Sequence, residues 1–381
     1  MERRGDATVR KGENVQKRRV WALIAVSALV MAACGDDGGD TGGTGGDDLV
    51  VGISWNNYAQ PRWAKADGPA IIDAVEAAGG TVIETDANDS SEQQLTDVSS
   101  LIAQGADALI ILAKDAEAIL PAVQEATEAG IPVIGYDRLI EDENAFYITF
   151  NNEQVGTIMA EEITAVVPEG NYAIVKGHSA DPNADFLRGG MTPVLEQYPD
   201  INIVCEDYND DWATENALAM MEACLSANNN EIDAVISEND SMATGVVAAL
   251  DAVGLAGTVP VTGQDGDDPA LNRVALGTQL VSVWKDAFAL GQTAGEVAVQ
   301  LANGTALEDV VAPDDLEEHV APEAGTAAQP FETPGGIEVW SIVLKPTPIT
   351  QENLSLPIDL GWIAQDVVCV GVEPGTVEAC G

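Results

Sequence analysis

Basic residues and histidines are what this sequence has least of. Only 16 of its 381 residues are Lys or Arg, against 63 Asp or Glu, for a formal net charge of −47. Seven of the 16 (Arg3, Arg4, Arg10, Lys11, Lys17, Arg18, Arg19) precede residue 20, which leaves nine for the rest: Arg62, Lys65, Lys114, Arg138, Lys176, Arg188, Arg273, Lys285 and Lys345. A surface this negative repels nucleic acid and anionic lipid, and excludes both as partners. It fits a salty habitat or, equally, a highly soluble extracytoplasmic protein. With only His178 and His319, far apart in the chain, no histidine-built metal site is expected. Also missing are a G-x-G-x-x-G after a strand, a G-x-x-x-x-G-K-[ST] loop and a G-x-S-x-G elbow, so no cofactor is called for. No tandem repeat of solenoid period is present.

Two short motifs invite chemistry and do not sustain it. "GHSAD" (177–181) sets His, Ser and Asp side by side, but sequence-adjacent triads do not fold into working geometry. "DYNDD" (207–211) begins like a calcium loop, yet Trp212 stands where the turn glycine belongs and Leu218 where the closing Glu belongs.

The N-terminus reads as an address. A basic stretch, "RKGENVQKRR", precedes the apolar run "VWALIAVSALVMAA" and then Cys34. The run is short for a bilayer span and suits a signal-peptide core. "VMAAC" resembles a bacterial lipobox, with Met31 in place of the usual leucine, which makes 1–33 a lipoprotein signal peptide and Cys34 the lipidated first residue. The competing reading is a transmembrane anchor with an incidental cysteine. A Gly/Asp tether follows through residue 47, with a reach on the order of 20 Å. The four remaining cysteines, Cys205, Cys224, Cys369 and Cys380, are an even number in an exported chain and so suggest disulfides. Pairing of nearest neighbours, 205–224 and 369–380, is the simplest of three connectivities, and free buried thiols stay open.

From Asp48 onward short apolar runs alternate with amphipathic stretches. Strands are expected at "LVVGISW", "GTVIETD", "ALIILAK", "IPVIGYD", "NYAIVKG", "INIVCED", "DAVISEN", "VPVTGQD" and "LVSVWKD", with helices such as "PAIIDAVEAAGG" and "NALAMMEACLSA" between them. Alternation at this length means parallel sheets covered on both faces. Nine strands exceed what one such sheet usually carries, so the fold class is α/β with two lobes. The stretch from Ala302 to Gly336 is acidic and rich in Pro and Gly and reads as an extended loop; "VWSIVLKPTPIT" then reads as a strand entering a crossing segment.

Many of these strands end in a polar cluster: "SWNNY", "AKD", "YDR", "KGHSADPN", "SEND", "GQDGDD", "WKD". In open α/β sheets ligands bind at the carboxyl ends of the strands. The clusters offer acids and amides (Asp137, Asp181, Asn183, Asn239, Asp265), bases (Arg62, Arg138, Lys285) and flat aromatic faces (Trp63, Trp212). Charged side chains grip neutral hydroxyls through charge-assisted hydrogen bonds, and aromatic faces match the C–H patches of a sugar ring. Three of the nine remaining basic residues fall in this set.

The stretches "PRWAKAD" (61–67), "VIGYDRLI" (133–140), "FYITFNNEQVG" (146–156), "DPNADFLRGG" (181–190), "DDWATENAL" (210–218), "ANNNEIDAVISEND" (227–240), "TGQDGD" (262–267) and "GTQLVSVWKD" (277–286) carry a resemblance. The chain resembles the periplasmic sugar-binding proteins of ABC importers, of ribose/galactose type, and most of all their D-xylose-binding branch. That resemblance spans about Val51 to Asn303 and resumes near "LKPTPITQENL". It implies the type I periplasmic binding protein fold: two Rossmann-like lobes, 48–150 with 286–345 and 151–285 with 346–381, joined by crossings near Asn151, Lys285 and Lys345. It also implies that Arg62, Asp137, Arg138, Asp181, Asn183, Asn239, Asp265 and Lys285 bind sugar hydroxyls while Trp63 and Trp212 cover the ring faces. The chain departs from the pattern at "SWNNYAQ" (54–60), at Lys114 and in a longer acidic loop at 304–338. The implied function is a non-enzymatic, lipid-anchored receptor for a monosaccharide, D-xylose first. It would act as a monomer with a permease and its ATPase, with a chemoreceptor as a further partner. Rival readings are another sugar ligand (glucose, galactose, arabinose or a furanose signal), a sugar-acting enzyme using Asp137 and Asp265, and a sugar-responsive regulator, which would need the basic DNA-binding surface this chain lacks.

Overall fold

A computed structural model describes residues 49–313 and 327–381. The expected signal peptide, lipidation site Cys34 and tether, with His319 and the middle of the acidic loop, lie outside the described residues. The described residues open with β1 (Val50–Trp55), where only Ser54 is polar and every residue after Val50 is buried, as in a central parallel strand. The alternation then runs α1 (Gly68–Ala77), β2 (Thr81–Asp86), α2 (Ser91–Ala103), β3 (Ala108–Ile111), α3 (Leu120–Glu128), β4 (Val133–Tyr136) and β5 (Ala145–Phe150). It continues with α4 (Asn152–Val166), β6 (Gly170–Lys176), α5 (Pro182–Leu195), β7 (Ile201–Tyr208), α6 (Thr214–Ala227), β8 (Ala234–Ser237), α7 (Asp240–Ala252), β9 (Thr262–Gln264), α8 (Asp268–Leu276), β10 (Val281–Trp284) and α9 (Ala287–Ala302). After the loop come β11 (Gln329–Glu332), β12 (Glu338–Leu344), β13 (Thr347–Ile349) and the short helices α10 (Ser355–Asp359) and α11 (Gln365–Val368).

Two sheets result. The first has the order β11-β12-β5-β4-β3-β1-β2, parallel throughout except for β11. The second runs β7-β6-β8, continues through a single Val235–Val261 bridge into β9-β10, and ends on antiparallel β13. Both therefore start from the order 2-1-3-4-5, whose reversal beside the first strand opens a crevice at the carboxyl ends. The chain passes between the sheets three times, after β5, after β10 and after β12.

One apolar core fills the second lobe, from Val155 on α4 to Val283 on β10. Two more cover the opposite faces of the first sheet. In the second lobe α4 and α5 pack backbone to backbone: a Cβ on Gly156 or Gly190 would overlap the facing carbonyl of Leu187 or Glu153. The C-terminal segment packs Trp362, Ile363 and Val368 against Leu271, Val274 and Trp284. The cysteines pair as nearest neighbours, Cys205–Cys224 and Cys369–Cys380, with Cα separations of 6.1 and 5.5 Å.

The structure departs from the sequence reading at three strands. β5, a fully buried "AFYITF", was not among the expected strands. β11 lies within the stretch read as an extended loop; its Pro330 is tolerated because, among the described residues, β11 is an edge strand pairing only with β12. β13 takes three residues of the expected crossing segment into the second sheet.

Candidate functional site

The polar strand ends converge. Between the lobes lies a cavity of about 30 Å³ lined by Gln60, Arg62, Trp63, Asp137, Arg138, Asp181, Asn183, Trp212, Asn239, Gln264, Asp265 and Lys285. All ten residues singled out from the sequence are there, joined by Gln60 and Gln264. Three cations face three carboxylates in the wall, and buried charges of this kind need such mutual pairing.

Arg62 sits at the centre, 2% exposed. It follows β1 and opens a π-helical turn, Trp63–Asp67, a local distortion common at functional sites. Behind it, buried Asp67 takes a two-pronged grip, Nε to Oδ2 at 3.1 Å and Nη2 to Oδ1 at 2.8 Å, and Asp67 also accepts from the Tyr136 hydroxyl. That fork fixes the guanidinium plane. In front, Arg62 Nη1 lies 3.2 Å from Asp137 and 3.3 Å from Asp265. Burial works to raise the Asp137 carboxyl, but Arg62, Lys285 and Arg138 outweigh it and hold Asp137 below the usual carboxylate range. Lys285 makes no ion pair among the described residues; its ammonium stands 5.9 Å over the Phe150 ring.

Asp181 and Asn239 each cap a helix, α5 and α7, accepting from the backbone of Asn183 and Met242. Capping alone would explain their presence. Each also reaches the opposite lobe: Asp181 Oδ2 lies 3.1 Å from Arg138 Nε, and Asn239 donates to Gln60 Oε1 at 3.3 Å. Burial pushes the Asp181 carboxyl up, with Arg138 opposing. Asn183 donates to the Asp137 carbonyl across the lobes at 3.0 Å.

Trp212 is seated by three features. Its Nε1 donates to Asp181 Oδ2 at 3.2 Å, its backbone sits at φ 56°, and it lies against Gly177, where a Cβ would overlap the indole. Glycine at 177 is therefore required by the ring.

The departures from the family pattern also find places. Gln60, in the 54–60 segment, accepts from Ser241 Oγ at 2.8 Å and so binds the second lobe as well as lining the cavity. Lys114 does not line it. It stands outside, paired with Asp211 of the second lobe and 3.5 Å from Asp89. Lys65 pairs with Asp268 and lies over Trp362. Thus all four basic residues between Leu49 and Phe150 (Arg62, Lys65, Lys114 and Arg138) ion-pair with acids of the second lobe.

His178 Nδ1 accepts from the Asp211 backbone at 3.3 Å, which spends the "GHSAD" histidine on a turn. The "DYNDD" acids diverge, Asp211 toward Lys114 and Asp210 toward His178. Among the described residues no group of three His, Cys, Asp or Glu side chains is placed to hold a metal ion, and no helix is long and apolar enough to cross a membrane.

Gln60 and Gln264 escaped the sequence reading because uncharged amides are common. Their signals were faint: Gln60 ends the divergent segment, and Gln264 precedes Asp265.

Comparison with known proteins places this geometry. A periplasmic binding protein domain model matches residues 51–306. The chain is 39% identical over 261 residues to the D-xylose-binding periplasmic protein of Escherichia coli (strain K12), covering 68% of this chain and 79% of that one. It is 37% identical over 265 residues to the protein of the same description from Haemophilus influenzae, covering 68% and 80%. Among solved structures, an ABC transporter solute binding protein from Clostridium phytofermentans with bound β-D-glucose superposes with a TM-score of 0.71 at 27% identity, covering 84% of this chain and 99% of that one. On fold and on sequence, the chain belongs to the periplasmic binding protein family, with the type I fold.

Proposed function

We propose that this chain is the extracytoplasmic receptor of a sugar ABC importer, held to the membrane by a lipid on Cys34, and that it captures a neutral monosaccharide, D-xylose first. The capture would occur by closure of two bodies, residues 48–150 with 286–345 and residues 151–285 with 346–381. The observation that carries this reading is the cavity wall: three cations and three carboxylates drawn from both lobes, with Trp63 and Trp212 beside them. Such a wall disfavours a ligand of net charge and offers donors and acceptors to hydroxyls. At about 30 Å³ the cavity has room for a water or two, so an entering sugar ring must spread the ion pairs and take their hydrogen bonds on its own hydroxyls. A ligand touching both lobes at once favours the closed arrangement over the open one, and a permease and its ATPase would read that shape.

Xylose leads because of the two D-xylose-binding relatives. Glucose is the second reading, on the strength of the solved relative that holds it. An enzyme is disfavoured: Asp137 and Asp265 are both turned onto one nitrogen of Arg62, at 3.2 and 3.3 Å, rather than set apart as acid and base across a bond.

The test is a melting-temperature screen of the chain in detergent with D-xylose, L-arabinose, D-glucose, D-galactose, D-glucuronate and D-glucosamine. D-xylose should give the largest rise and the two charged sugars none. A rise with glucuronate or glucosamine alone would overturn the neutral-ligand reading. Mass spectrometry of membrane-extracted protein should find Cys34 acylated and residues 1–33 gone; an unmodified Cys34 would remove the anchor.

A further inference from the structure

Gln264 lines the cavity from the second lobe. It ends β9, paired in register with Val283 on β10, and is 3% exposed. Its Oε1 is fully buried and accepts no hydrogen bond. Several other polar side chains of the wall are engaged: Gln60 with Asn239 and Ser241, Asn183 with Asp137, Asp181 with Arg138 and Trp212. Asp265, the next residue, faces Arg62. A buried amide oxygen without a donor is costly, and native structures keep one mainly where something else supplies the donor. Across the cavity wall Trp63 presents the complementary case, an indole N–H that is buried and without an acceptor.

We infer that Gln264 is a ligand-contacting specificity residue: its Oε1 accepts a hydrogen bond from one hydroxyl of the captured sugar. This rests on the receptor reading above. A site built to accept from a particular hydroxyl rejects the analogue that lacks it, because the amide oxygen is then buried unpaired. Gln264 thereby reads one ring position, separately from the charged residues that grip the others.

The experiment compares the full chain with its Gln264→Leu and Gln264→Met variants, by calorimetric titration with D-xylose, D-glucose and the monodeoxy forms of each, alongside melting curves without sugar. Both variants should melt at or above the wild-type temperature and bind the preferred sugar at least tenfold more weakly. For one deoxy analogue, and one only, the variants should show no further loss on deletion of the hydroxyl, whereas wild type loses about tenfold. Variants that keep wild-type affinity and wild-type discrimination among the deoxy sugars would overturn the inference while leaving the receptor reading intact. A drop in melting temperature with uniform loss across all analogues would assign Gln264 a structural role instead. If the wild-type chain binds neither parent sugar nor any analogue, the receptor reading falls and the inference with it.

Discussion

Asp137 and Asp265 occupy the same place in their two lobes and meet at the same atom, Nη1 of Arg62, at 3.2 and 3.3 Å. Each follows the fourth strand of its lobe, and each donates its backbone N–H to the next strand, to Ile148 and Val283. Each has a positive φ, 60° and 101°, which a non-glycine residue adopts only where its surroundings enforce it. The two lobes thus hold strained carboxylates at equivalent strand ends and share one cation between them. A ligand bridging that pair senses both lobes at once.

Asp265→Ala should therefore remove capture while sparing the fold. Its carboxylate is one of three around Arg62, so Asp67 and Asp137 still compensate the guanidinium. A charged hydrogen bond to a hydroxyl is worth about 1.5–3 kcal/mol, so D-xylose affinity should fall at least about tenfold. Calorimetry and circular dichroism on the same sample check it; normal binding would take Asp265 out of the site.

Lys114→Ala should act on closure alone. The Lys114–Asp211 pair bridges the lobes outside the cavity and is partly exposed, and pairs of this kind contribute about 0.2–1 kcal/mol and weaken in salt. Sugar affinity should drop by a factor of about 1.4 to 5 at low ionic strength, and the difference from wild type should vanish in molar salt. A loss that persists in salt would mean that Lys114 acts on the ligand directly.

Stability should fall as pH rises through the neutral range. Burial pushes Asp240 up to about 7, and burial together with the Asp240 and Asp265 charges pushes Asp267 well up. Carboxyls raised in the native state hold protons that the unfolded chain has released above about pH 4, so their contribution is fullest in acid and is lost as pH passes their native range. Melting temperature should decline between pH 5 and pH 8, and Asp267→Asn should flatten that decline by about 2 °C or more. A profile that rises with pH, or one unchanged by the substitution, would contradict this.

Reduction should lower stability through both disulfides. They close loops with sequence separations of 19 and 11, each stabilising by roughly 3 kcal/mol in the chain-entropy account. Melting with and without reductant checks it; an unchanged temperature would mean that the bonds do not form.

Much of this was legible in the sequence because two signals are strong. Runs such as "VVGISW" and "AVIS", repeated between amphipathic helical stretches, read as strands buried on both faces, and the polar residues ending them gather at one edge of a parallel sheet. Where a chain keeps so few bases, Arg62 and Arg138 at such edges stand out. What stayed hidden had weaker physics in one dimension. β5 follows β4 with no helix between them, which breaks the strand–helix alternation, and β11 is short, contains Pro330 and gains its order from pairing with β12. Gln60 and Gln264 carry no charge, and only the three-dimensional wall shows that one bridges the lobes while the other lacks a partner. The pairing of Lys114 with Asp211, 97 residues away, had no local signal.

The central claim is that one neutral sugar is held from both lobes together. Its most direct test is calorimetric titration of D-xylose into the chain at low and high salt. One-to-one binding, with D-xylose preferred over D-glucose and L-arabinose, is expected. A folded sample that gives no heat with any of the three sugars at either salt concentration would contradict it.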